Sequence, residues 1–164
     1  MVSLNIAVEL RAHIALVLLQ RAPVNALSAA MRTELYTVLE KLIGDDSVKG
    51  ILVTTQSLPF SAGADIKEFG ALRPGKNFLD FANLLRKSEK PVVVGIRHYA
   101  LGGGLEFAML CHRRVMLSDA YCAQPEVKLG LFPGGTGTQT LPRLVGFSTA
   151  LCMITQGDKV TAQE

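Results

Sequence analysis

Apolar and polar positions alternate with a period of two near the start of the chain, and residues 5–9 and 13–19 are predicted as two strands around a hairpin turn region at "RA". "RAPVNALS" (21–28) is a polar, proline-containing loop, and its last residue, Ser28, can cap a helix running to about Ile43. Met31, Leu35, Val38, Leu39 and Leu42 follow helical spacing along it, and "GDDS" stops it. "KGILVTT" (49–55) is a short apolar strand, followed by a loop, "QSLPFSAGAD". A second amphipathic helix is expected over 77–88, with Phe78, Phe81, Leu84 and Leu85 on one face. "KPVVVGI" (90–96) reads as a buried strand, Gly103 to Cys111 as a helix opened by three glycines, and "RRVMLS" (113–118) as a strand. "LPRLVGFSTALCMITQG" carries two short helices separated near Gly146. Strands alternate with helices, which predicts an α/β fold with parallel strands and right-handed crossovers. No repeat, low-complexity run or linker breaks the pattern, so residues 1–164 are read as one core domain.

Composition narrows the class. Hydrophobic residues make up 49% and charged residues 19%, a globular balance. The longest apolar runs fall far short of the roughly 20 residues a bilayer helix needs. The first residues already alternate like a strand, so no targeting segment is expected there, and the chain reads as soluble. A net charge of +3 suits an anionic small ligand and is too weak to argue for nucleic acid. Helix 28–45 carries only Arg32 and Lys41 against Glu34, Glu40 and Asp45, which gives no basic face for RNA. Cys111, Cys122 and Cys152 form no CxxC pair and sit in apolar contexts, so buried, reduced thiols are expected. His13, His98 and His112 make no ligand cluster, and no metal site is expected.

Two glycine-bearing loops follow apolar strands: "FSAGAD" (60–65) and "ALGGG" (100–104), the latter opening a helix. A glycine-rich helix start leaves bare N–H groups and a positive dipole end, which hold an anion or an oxygen that becomes anionic. On spacing alone, tight helix–strand packing or a turn is the plainer reading of the glycines. Neither loop matches a dinucleotide or P-loop fingerprint. Glu106 falls in the first turn of that helix, and Glu126 follows Pro125 twenty residues later. Each could be a solvated acid. Should they meet, one carboxyl could be kept protonated while the other acts as a base. Ser61 lies outside G-x-S-x-G, the cysteines lack an evident activating neighbour, and Lys67 reads as a solvated lysine rather than a phosphate ligand.

"FSAGADIKEF" (60–69), "ALGGGLEFAMLC" (100–111), "AQPEVKLGLFPGGTGTQTLPRLVG" (123–146) and "ITQGDKVTAQE" (154–164), with "RAPVNALS" before them, resemble successive signatures of the enoyl-CoA hydratase/isomerase (crotonase) family. "GGGLE" with "PEV" and "LPRLVG" is most similar to the hydratase part of multifunctional fatty-acid oxidation enzymes. The resemblance implies a spiral of repeated ββα units in two sheets, lacking the C-terminal helices that cover the acyl site and build trimers. It implies an acyl-CoA thioester substrate, with coenzyme A as part of the substrate and no further cofactor. It places an oxyanion hole at the N–H groups of Ala64 and Gly103, catalytic carboxylates at Glu106 and Glu126, and substrate contacts at Ala62, Asp65, Ile66, Gly102, Pro125 and Gly134. It implies β-oxidation chemistry in a trimer-based homo-oligomer or a multifunctional enzyme, inside a peroxisome or glycosome, a mitochondrion or the cytoplasm. Isomerisation of a 3-enoyl thioester, or CoA binding without catalysis, are the competing expectations. His112 in "CHRR" and Cys122–Ala123 in "YCAQPE" depart from the common family pattern. In that family Phe147, Leu151, Met153 and Ile154 would be covered by later helices.

Overall fold

The structure is a computed structural model and describes residues 5–57, 59–68 and 75–164. The strand-like alternation of the first four residues, Leu58, and Phe69 at the end of "FSAGADIKEF" lie outside the described residues.

β1 (Ile6–Arg11) and β2 (Ile14–Leu19) form an antiparallel hairpin, and its turn, Ala12–His13, falls one residue later than expected. β3 (Gly50–Thr54), β4 (Val92–Ile96) and β6 (Arg113–Met116) add in parallel, giving a five-stranded sheet in the order β1-β2-β3-β4-β6. The parallel strands read as unbroken apolar runs because helices cover them. α1 (Ala29–Gly44) starts where Ser28 Oγ accepts the Met31 N–H, and buries Met31, Leu35, Leu39 and Leu42. α2 (Phe78–Lys87) starts at a reciprocal cap between Asn77 and Asp80. Tyr36 of α1, Phe81 of α2 and Phe107 of α3 (Gly103–Leu110) meet edge-to-face, at ring separations of 5.7 and 5.3 Å. These contacts lock three helices around one core.

A second sheet is assembled from short pieces, one per turn of the chain. β5 (Tyr99–Leu101) pairs in parallel with β7 (Tyr121–Ala123), and β7 pairs with β8 (Val160–Thr161). Two single bridges, Leu27 to Ala64 and Ser61 to Ala100, continue that surface. Each turn therefore runs from a strand of the large sheet, through a short extended piece, into a helical segment. The expected α/β fold and ββα spiral are both present. The "RRVMLS" strand divides into β6 and the start of the path to β7, and the run at 99–101 is a strand of its own. The two helices of the last third are α4 (Gly137–Val145) and α5 (Phe147–Gln156), separated at Gly146.

Two expectations are corrected. Only Cys111 is buried, with its thiol pushed up to about 12 by burial; Cys122 is half-buried and Cys152 exposed, because α5 turns that face outward. On the same helix Met153 packs inward, while Phe147 and Leu151 are exposed. His112 acts in the fold: its Nδ1 accepts the Val92 N–H at 3.0 Å and starts β4. Among the described residues, no helix is long and apolar enough to cross a membrane.

Candidate active site

The second sheet ends its pieces side by side, so the segments after them converge on one cavity of about 530 Å³. Ala62, Ala64, Ile66, Gly102, Gly103 and Gly134 line it, as do Pro125, Glu106 and Glu126. All but one of the residues expected to form the site are thus brought together. The exception is Asp65. Its carboxylate pairs with Arg21 Nη2 at 2.8 Å, away from the cavity wall. Burial works to raise its pKa, but the Lys67 backbone N–H and Arg21 hold it below the ordinary range. Lys67 is exposed on the short 3-10 turn Ile66–Glu68.

The three glycines have separate geometric reasons. Gly102 has φ +48°, and a Cβ there would stand 2.8 Å from Glu126 Oε1. Gly103 is the first residue of α3, so its N–H has no intrahelical acceptor. A Cβ on Gly103 would lie 3.3 Å from Ala64 N and 3.1 Å from Phe78 Cζ. Gly104 sits against Ser61, where a Cβ would clash at 2.6 Å. Ala64 N and Gly103 N are therefore close neighbours on the cavity wall, and among the described residues neither donates to another group.

Glu106 is 3% exposed, on the inner face of α3. Its Oε1 accepts the N–H of Gly135 at 2.8 Å and of Gly137 at 2.7 Å, at the entry to α4. A Cβ on either glycine would collide with the carboxylate. Burial raises the pKa of Glu106, and the N–H groups of Gly137 and Gly135 oppose that rise. Glu126 sits on the 3-10 turn Pro125–Leu129. Burial pushes it up to about 7; a backbone hydrogen bond at its own residue works against this, and the Glu106 charge adds to it. The solvated reading of both acids is set aside by these positions.

Sequence reading missed Gln124, which is fully buried. Its amide orientation follows from its surroundings: with nitrogen toward Glu126, it donates to Oε1 and Oε2, each at 3.0 Å. An amide immediately before Pro-Glu in an otherwise apolar stretch was the available signal. Arg32 was counted only among the charges of its helix; it is 6% exposed and lines the cavity. Gly135 and Gly137 were visible only as part of a glycine-rich loop.

The comparisons give the family to which this fold and cavity belong. Residues 9–164 match the model of the enoyl-CoA hydratase/isomerase family, and the chain belongs to that family. It is 42% identical over 152 residues to the peroxisomal bifunctional enzyme of Homo sapiens, covering 92% of this chain and 21% of that protein. It is 39% identical over 158 residues to a probable enoyl-CoA hydratase of Bacillus subtilis (strain 168), covering 92% of this chain and 61% of that one. The solved enoyl-CoA hydratase of Thermoplasma volcanium GSS1 superposes with a TM-score of 0.89 at 34% identity, covering 99% of this chain and 68% of that one. The chain spans about a fifth of the length of the vertebrate bifunctional relatives it matches.

Proposed function

We propose that this chain hydrates 2-enoyl-CoA thioesters. The observation that carries the reading is the single cavity in which two neighbouring N–H groups, of Ala64 and Gly103, face the same space as Glu106 and Glu126. The thioester oxygen accepts from both N–H groups, and the α3 dipole reinforces them. Glu106 takes a proton from water as the water oxygen bonds to C3. The C2=C3 electrons move toward C1, and the enolate charge that develops on oxygen is held by the two donors. Glu126, kept protonated near neutral pH, delivers its proton to C2. Transfer of the proton from Glu106 to Glu126 restores the starting state, so the balance is one water added. The chemistry is redox-neutral and its electrophilic assistance comes from the backbone, so we expect no cofactor beyond the coenzyme A of the substrate. The exposed Phe132, Phe147 and Leu151 support the expected assembly into an oligomer or a larger enzyme.

The test is to incubate the protein with crotonyl-CoA and follow loss of the conjugated thioester absorbance and appearance of 3-hydroxybutyryl-CoA. A 3-enoyl-CoA supplied in a parallel arm reads out isomerase activity. Conversion in the second arm alone would replace hydration with isomerisation, and binding of CoA thioesters without conversion in either would leave a non-catalytic module.

A further inference from the structure

Arg32 is an odd residue to find inside α1. The other inward positions of this helix are aliphatic, and burying a guanidinium is costly unless its donors are satisfied. Here Nη1 donates to Leu27 O at 2.7 Å and Nε to Lys76 O at 2.9 Å, and Glu68 Oε2 stands 3.9 Å from Nη1. These partners lead to both donors of the proposed oxyanion hole. Leu27 N donates to Gly63 O at 2.8 Å, and Leu27 is the bridge partner of Ala64. Lys76 directly precedes Asn77, the cap of α2, and the next residue, Phe78, packs over Gly103. Glu68 closes the third side: both its oxygens accept the Ala29 N–H, at 3.0 and 2.9 Å, which seats the turn after Ala64 on the first turn of α1.

We infer that Arg32 is a positioning residue for the oxyanion hole, tying α1 to the Ala64 segment on one side and to the start of α2 on the other. Its planar fork holds two carbonyls from distant parts of the chain at fixed separation, which a single ammonium cannot do. Glu106 shares α3 with the Gly103 donor, and Glu126 lies on the 3-10 turn Pro125–Leu129. Losing the fork therefore displaces the Ala64 donor relative to Gly103 and the acids rather than moving the whole site. This inference rests on the hydratase reading above.

The experiment compares the protein with Arg32→Met and Arg32→Lys. The readouts are crotonyl-CoA turnover, thermal unfolding, and the Raman carbonyl band of bound hexadienoyl-CoA. The unsubstituted protein should shift that band to lower frequency, because two aligned donors polarise the carbonyl. Arg32→Met should lose most of the shift and drop kcat about ten- to a hundredfold, the scale of a misplaced reacting group, with KM little changed. Arg32→Lys, which reaches one carbonyl, should fall between. A folded Arg32→Met with the native band and native kcat overturns the inference and leaves Arg32 a fold anchor. If Arg32→Met does not fold, Arg32→Lys decides: lowered thermal stability with a native band and kcat overturns it. No band shift in the unsubstituted protein removes the oxyanion hole itself, and this inference with it. A native shift that survives both substitutions removes only the inference.

Discussion

Glu106 and Glu126 face one cavity from opposite kinds of support. Glu106 rides on a helix, is almost completely buried, and accepts two backbone N–H groups from the entry to α4. Glu126 rides on a 3-10 turn, is half-buried, and answers to a side-chain amide. Both backbone donors go to Oε1 of Glu106, where they favour the ionised form against the burial that raises its pKa, and they stay satisfied when Oε2 takes a proton. An amide can rotate to donate to a carboxylate or accept from a carboxylic acid, so Gln124 suits Glu126 in either state. One site thus holds a carboxyl group pinned by the backbone beside one whose partner can turn.

The strongest way to break this comparison is to remove each carboxyl in turn. Glu106→Ala and Glu126→Ala should each lower hydration kcat by about a hundredfold or more, as loss of a general acid or base does. The double variant should be far from additive, since the two act as a unit. Glu106→Ala should also cost more stability than Glu126→Ala, about 1–3 kcal/mol, because it leaves the N–H groups of Gly135 and Gly137 unpaired. Equal melting temperatures for the two variants would show that the difference in support is illusory.

Gly102→Ala comes next. It forces a side chain into φ +48° and against Glu126 Oε1, so kcat should fall about tenfold or more through displacement of that acid. Turnover measured with CoA affinity would check it, and an unchanged kcat would mean that Glu126 has room to move. A smaller effect concerns pH. Glu126 lies at about 7 when folded, against 4.5 for its ordinary value. Between those values the folded state binds more protons than the unfolded state, so stability should fall as pH rises through that window. Glu106 shifts in the same direction. Unfolding midpoints across that range should decline for the native protein and decline less for Glu126→Gln. The smallest expected effect belongs to Gln124→Leu. Loss of the donor to the carboxylate should move the upper limb of the pH–rate profile to higher pH, visible in kcat/KM against pH.

The sequence revealed the parts of this site that have long periodic or compositional signals. α1 and α2 were legible because their apolar stripes extend over three or four turns and carry good caps at Ser28 and Asn77. The large sheet was legible because its strands are unbroken apolar runs. β5, β7 and β8 were not: strands of two or three residues are too short to show alternation, and they exist because neighbouring turns of the spiral offer them hydrogen bonds. The site residues came from the family resemblance, and cavity geometry then gathered all but Asp65. Asp65 fails to face the cavity because Arg21, a residue of the preceding loop, captures it. Arg32 and Gln124 were illegible because burial of a polar side chain depends on partners distant in sequence.

Glu106 also fastens α3 to the entry of α4, a role separate from the chemistry proposed for it. A relative without the proposed reaction would still gain from an acid there, because it pairs the N–H groups of Gly135 and Gly137. Among the described residues, the Glu126 carboxylate meets a backbone N–H only at its own residue and joins no second element in this way. When sequences of this kind are sorted into working and lapsed members, a carboxylate at the Glu106 position is thus weak testimony. One at the Glu126 position, with its glutamine before it, is the more telling mark.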